Sequence, residues 1–108
     1  MNIFVNIILS ILVVTSTYEL GWIVKNISDP SVEVIYLVDE RKDDVYIYRP
    51  NEGDILNLTK ADIFVHTGTF EKSWLNTALS LARNPKIIEG GRGNIDLSKQ
   101  IEAFKESH

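Results

Sequence analysis

The chain has 108 residues, with eleven Lys and Arg against fifteen Asp and Glu, a formal net charge of −4. It carries no basic stripe, which argues against a nucleic-acid partner. Without cysteine it can form no disulfide, thiolate nucleophile, Cys-ligated zinc site or N-terminal lipid-modified Cys.

A chain of this length supports one domain, and 44% apolar with 24% charged residues is ordinary globular usage. The mild acidity suits a cation ligand, although solubility alone accounts for it.

Ile3 to Val14 is a mostly apolar run. It is too short for a spanning helix, which needs about 20 residues. A signal-peptide core is one reading, but no Lys or Arg precedes the run and no small-x-small cleavage site follows. The other reading is a buried strand over Ile7 to Thr15, since a central parallel strand is apolar on both faces. We adopt the strand, with residues 1–6 as a signal remnant or strand extension.

Leu20, Ile23, Val24 and Ile27 recur at helical spacing, with Thr17 as N-cap and Asp29-Pro30 as stop. Val32 to Val38 reads as a second strand, being rich in β-branched residues. Asp39 to Asp44 is a charged loop, and Val45 to Tyr48 an extended loop or short edge piece. Asp54 to Thr59 predicts a short helix with Ile55 and Leu58 inward. Ala61 to His66 is a third strand.

Phe70 to Arg83 gives the clearest helix, with Trp74, Leu75, Ala78, Leu79 and Ala82 on one stripe. Lys86 to Glu89 reads as a fourth strand, Gly90 to Asn94 as a flexible linker, and Ser98 to Ser107 as an amphipathic helix. Trp22 and Trp74 lie on or near apolar stripes and are expected in the core.

Strands alternating with helices predict a three-layer α/β/α domain around a mostly parallel four-stranded sheet, over residues 7–97, with 98–108 as a C-terminal helix or tail. All strands of such a sheet end on one edge, where ligands bind. Thr15-Ser16-Thr17, the loop after Val38 and His66-Thr67-Gly68 then share one rim.

Three stretches together resemble the zinc- and manganese-type solute-binding proteins of ABC importers. Val13 to Tyr18, followed by Leu20, Ile23 and Val24, is similar to that family's VVTT-x-Y-P-L-x-D-I-V opening. Asp44 to Pro50 with Asp54 resembles its D-P-H-x-Y-E-P-x-x-x-D loop. Leu58 to Gly68 resembles L-S-K-A-D-L-F-V-Y-N-G, and Glu71, Trp74 and Leu75 resemble the E-x-W-L that follows, with one more residue between Glu and Trp. The likeness covers roughly residues 12 to 97, one lobe of a two-lobed protein.

The resemblance implies a divalent metal ligand (Zn or Mn), an ABC permease or complementary second lobe as partner, and a place in the cell envelope outside the cytoplasm. The weak leader leaves the cytoplasm as the other location. Tyr46 stands where the family has the His of its D-P-H loop, and Val45 where it has the Pro. The metal contacts this lobe can offer are Tyr46, His66 and Asp44. This is fewer than a closed zinc site uses, so a second lobe or chain must complete it.

Bland readings stand beside these. For His66 the reading that weighs more is a rim histidine hydrogen-bonded to solvent or backbone. Asp39, Glu40, Asp43 and Asp44 read as a solvated loop rather than a cation cage, lacking EF-hand spacing and offset by Arg41 and Lys42. Gly90-Gly91-Arg92-Gly93 lacks the phosphate-loop pattern. Asn26-Ile27-Ser28 and Asn57-Leu58-Thr59 match the glycosylation sequon, a frequent chance match. No nucleophile, H-E-x-x-H or cofactor fingerprint points to an enzyme. The alternative to metal binding is an interaction module, since a lone lobe leaves a face free for a homodimer or for docking on a partner.

Overall fold

The computed structural model describes residues 10–107. Its elements are β1 (Leu12–Thr17), α1 (Tyr18–Ile27), β2 (Glu33–Val38), α2 (Glu52–Lys60), β3 (Ile63–His66), α3 (Leu75–Ala82), β4 (Asn94–Asp96) and α4 (Leu97–Ser107). The expectations for residues 1–6, the first residues of the predicted opening strand and His108 fall outside the described residues.

The four strands form one parallel sheet in the order β2-β1-β3-β4. β1 is central, with Val14 paired to Ile35 on one side and Phe64 on the other. Its residues Val13 to Thr17 are all buried, as befits a central parallel strand covered on both faces. The alternation of side chains divides the sheet into two faces. Val14, Leu37 and Phe64 point into a core shared with Leu58 of α2, with Trp74, and with Ala78, Leu79 and Ala82 of α3. α1 covers the other face so closely that a Cβ on Gly21 would lie 3.1 Å from the Thr15 hydroxyl oxygen. The expected α/β class, a sheet with helices on both faces, is therefore the observed one.

Local sequence explains the helix starts. Thr17 accepts the Leu20 amide at the start of α1. Asn51 and Asp54 exchange side-chain and backbone hydrogen bonds of 2.9 Å in a capping box that opens α2.

Three expectations need correction. Trp22 is 60% exposed, because the inward face of α1 centres on Gly21 and turns Trp22 outward; Trp74 is in the core as expected. α3 begins at Leu75, not Phe70: residues 70–74 form a turn in which the Thr67 hydroxyl accepts the Phe70 amide and Trp74 has non-helical backbone angles.

The fourth strand is Asn94–Asp96, within and beyond the segment read as a linker, while Lys86 to Glu89 is a turn. Ile87 is fully buried, but its carbonyl accepts the Asn94 side chain instead of a neighbouring strand. The pairing enters through Gly93, whose carbonyl accepts the Phe64 amide at 2.7 Å. A Cβ there would sit 2.1 Å from the Asp62 carbonyl oxygen, so only glycine lets the backbone approach.

Candidate binding site at the carboxyl edge of the sheet

The segments after β1, β2 and β3 meet at the carboxyl edge, and the polar residues that end β1 and β3 are buried there: Thr15, Ser16, Thr17 and His66. Glu71, fully buried, ties this edge together. Its Oε2 accepts from the Ser16 hydroxyl and, at 2.9 Å, from the Thr67 amide; its Oε1 accepts from the Thr67 hydroxyl at 2.7 Å. One carboxylate thus joins the ends of two neighbouring strands to the approach to α3.

The charged loop after β2 is anchored on α1. Both carboxylate oxygens of Glu40 accept backbone amides, Tyr18 at 2.8 Å and Glu19 at 3.0 Å. The Arg41 guanidinium donates twice to Asp39 and lies 3.6 Å above the Tyr18 ring centre. Hydrogen bonding from Arg41 holds the Asp39 carboxyl below its ordinary range, and the same bond pushes Arg41 up. The loop's carboxylates are thus spread among separate partners.

Asp44 accepts the Tyr46 amide at 2.9 Å in a local turn. The Tyr46 ring is 56% exposed and meets Phe70 edge-on at 5.5 Å. The backbone behind it is strapped: the Trp74 indole donates to the Val45 carbonyl at 2.8 Å and the Ser73 hydroxyl to the Tyr46 carbonyl. The Tyr48 hydroxyl donates to Asp54 at 2.7 Å, and burial together with this acceptor pushes its pKa up.

His66 is 2% exposed and stacks on Phe64, 5.0 Å between centroids. The Asn94 side-chain NH2 donates to Ile87, so Asn94 Oδ1 is left to accept from His66 Nε2 at 2.7 Å. This assigns the Nε2–H tautomer, and Nδ1 is buried without a partner. Asp96 is His66's register partner on β4. Burial acts upward on Asp96, but the Ser98 hydroxyl and amide outweigh it and hold the carboxyl below its ordinary range.

Of the three expected metal contacts, Asp44 and Tyr46 are adjacent through their turn, while His66 stands apart. Tyr46 lines a hollow of about 360 Å³ with Thr17, Glu19, Glu40, Thr67 and Phe70. His66 lines another of about 210 Å³ with Lys72, Asn76, Glu89, Asn94 and Asp96. Among the described residues no group of three His, Asp or Glu side chains is arranged to hold a metal ion. The ties made by Glu71 and Glu40 were not read from sequence. A lone Glu one turn before Trp74, in an otherwise apolar stripe, was the available signal for the first; the second spans some twenty residues and has none.

A parallel α/β lobe with a polar carboxyl edge is the architecture of a ligand-binding lobe. The family model for ZnuA, "Zinc-uptake complex component A periplasmic", matches residues 13–108, and the chain belongs to that family. No curated protein sequence matches it.

Among solved structures, a zinc-bound ZnuA deletion mutant superposes with a TM-score of 0.60 at 23% identity, over 69% of this chain and 29% of that one. A Mn-bound periplasmic metal-binding protein from Candidatus Liberibacter asiaticus gives 0.57 at 25% identity, over 61% and 25%. Zn(II)-bound AdcA from Streptococcus pneumoniae gives 0.55 at 20% identity, over 68% and 16%. The matched region thus spans less than a third of each of these chains. The ZnuA and AdcA likenesses, at their low identity, concern the fold. Among the described residues no helix is long and apolar enough to cross a membrane.

Proposed function

We propose that this chain acts as the N-terminal lobe of an extracytoplasmic solute-binding component for a divalent metal ion, zinc or manganese, serving an ABC importer. Its role is binding rather than catalysis. The observation that carries this reading is the family match across residues 13–108, on a lobe whose strand ends and polar loops share one edge. Tyr46, on its strapped and exposed loop, is the foremost metal contact, with Asp44 beside it through the turn and His66 a separate donor on the neighbouring strand end. A phenol and a carboxylate are too few to hold zinc tightly, so a second lobe or chain supplies the remaining ligands.

Zinc titration by calorimetry tests this, on the chain alone and mixed with a complementary second lobe. Weak binding alone and much tighter binding in the mixture are expected. Absence of heat at millimolar zinc in both would overturn the reading.

A second reading is favoured by the exposed apolar side chains Tyr46, Ile47 and Leu81, which border a groove of about 560 Å³ between the 46–50 loop and α3. On this reading the lobe docks on a partner lobe or permease, or forms a homodimer, without holding metal itself. Light scattering at high concentration checks the homodimer: a concentration-dependent rise in mass is expected, and a strictly monomeric species counts against it.

A further inference from the structure

Among the described residues one buried side-chain polar atom is left unsatisfied, His66 Nδ1, on a ring that is 2% exposed. With the Nε2–H given to Asn94, Nδ1 carries a lone pair that calls for a donor. An enclosed acceptor without a partner is costly, so the fold gains from whatever brings it one. The ring helps to line the hollow of about 210 Å³, which is smaller than the roughly 300 Å³ at which pockets for drug-sized ligands begin.

His66 and Asp96 are register partners on β3 and β4, so their side chains stand on one face of the sheet. Among the described residues the hydrogen bonds that Asp96 accepts, from Ser98 and Lys99, all fall on Oδ1 and leave Oδ2 to accept another. Gly68, with a φ of 78°, lies close against this carboxylate: a Cβ there would sit 2.4 Å from Asp96 Oδ1. The remaining lining balances in charge. Lys99 faces Glu89 at 3.6 Å, and Lys72 adds a second ammonium that makes no ion pair among the described residues. Two ammoniums oppose a bare metal ion, and two carboxylates oppose an oxyanion. A molecule that carries both charges and no net charge suits such a lining.

We propose that this hollow binds a small zwitterion of the α-amino-acid class, its ammonium donating to His66 Nδ1 and Asp96 Oδ2 and its carboxylate meeting Lys72. The site is separate from the Tyr46 hollow, and the proposal does not depend on the metal reading of Tyr46 and Asp44.

The test uses the full chain without metal. The ring nitrogens of His66 and the Gly68 amide are followed by NMR while glycine is added, with methylamine and acetate as controls that carry one charge each. Glycine should shift both signals saturably, and each control should need a concentration about tenfold higher or more. Lys72→Gln, at an exposed position, should weaken the response to glycine several-fold. In His66→Phe, which keeps a ring against Phe64 and removes both nitrogens, the Gly68 amide should no longer respond.

No response to glycine, an equal response to methylamine and acetate, or an unchanged response in both folded variants would overturn the proposal. So would a His66 shift on adding zinc with none on adding glycine, which would assign the imidazole to the metal.

Discussion

Glu71 shows how one side chain can organise a binding edge. Three donors converge on its buried carboxylate, from Ser16 and twice from Thr67. Removing the acceptor leaves the buried Ser16 hydroxyl and the half-buried Thr67 amide and hydroxyl without this partner. A buried group left unpaired costs about 1–3 kcal/mol. Glu71→Ala should therefore lower the stability by about 3 kcal/mol, because several donors lose their partner together. Glu71→Gln should cost less, about 1–2 kcal/mol, since its carbonyl still accepts while its NH2 meets an already engaged Thr67 hydroxyl. Urea denaturation of the two variants measures this. A loss under about 0.5 kcal/mol for the Ala variant would show that the network does not hold the edge.

At the scale of elements, α3 and β4 depart most from their sequence patterns, and both departures arise from contacts remote in sequence. Periodicity carried the helix back to Phe70. The hydrogen bonds of Glu71 to the strand ends and of Trp74 to Val45 instead favour a capped turn there. The helix ends at Arg83, whose φ of 51° lies in the left-handed region, before Asn84-Pro85.

A non-glycine residue in that conformation costs on the order of 1 kcal/mol, and a β-branched one more. Glycine would relieve this strain but gives back about 0.4–1 kcal/mol through its freer unfolded chain. Arg83→Gly should therefore leave the melting temperature unchanged or slightly raised, whereas Arg83→Val should destabilise by about 1 kcal/mol. A thermal melt in which the Gly variant is the less stable of the two would contradict the cap geometry.

At the scale of the whole molecule, Asp62 joins segments from three parts of the chain. Its Oδ2 accepts the Leu12 amide at the start of β1, and its Oδ1 accepts the Lys86 ammonium at 2.8 Å. The Lys86 hydrogen bond, then the Leu12 amide, hold the Asp62 carboxyl below its ordinary value of 3.8. The folded chain thus takes up this proton less readily than the unfolded chain. The stabilisation is present above the unfolded value and is lost as pH falls through the lowered folded value. Acid unfolding of the unaltered chain should include this loss, and Asp62→Asn should flatten that part of the profile while lowering stability at neutral pH. Equilibrium unfolding from pH 7 down to pH 2 checks both. Parallel profiles for the two proteins would show that Asp62 is not coupled to folding.

Much of this architecture is already determined locally. The apolar run into β1, the β-branched stretch of β2, the Thr17 cap and the Asn51 cap each specify an element from neighbouring residues, and their alternation specifies a parallel sheet. The Thr67 and Tyr46 segments could be assigned to one rim on the same ground, because parallel strands must end together.

Only the tertiary structure decided the rest. Ile87 was drawn into the core as a single anchor, Gly93 was chosen for strand entry by its approach to Asp62, Trp22 turned outward, and His66 was separated from Tyr46 by the hollow each came to line. Those outcomes depend on packing and on hydrogen bonds between residues distant in the chain, which composition and period do not encode.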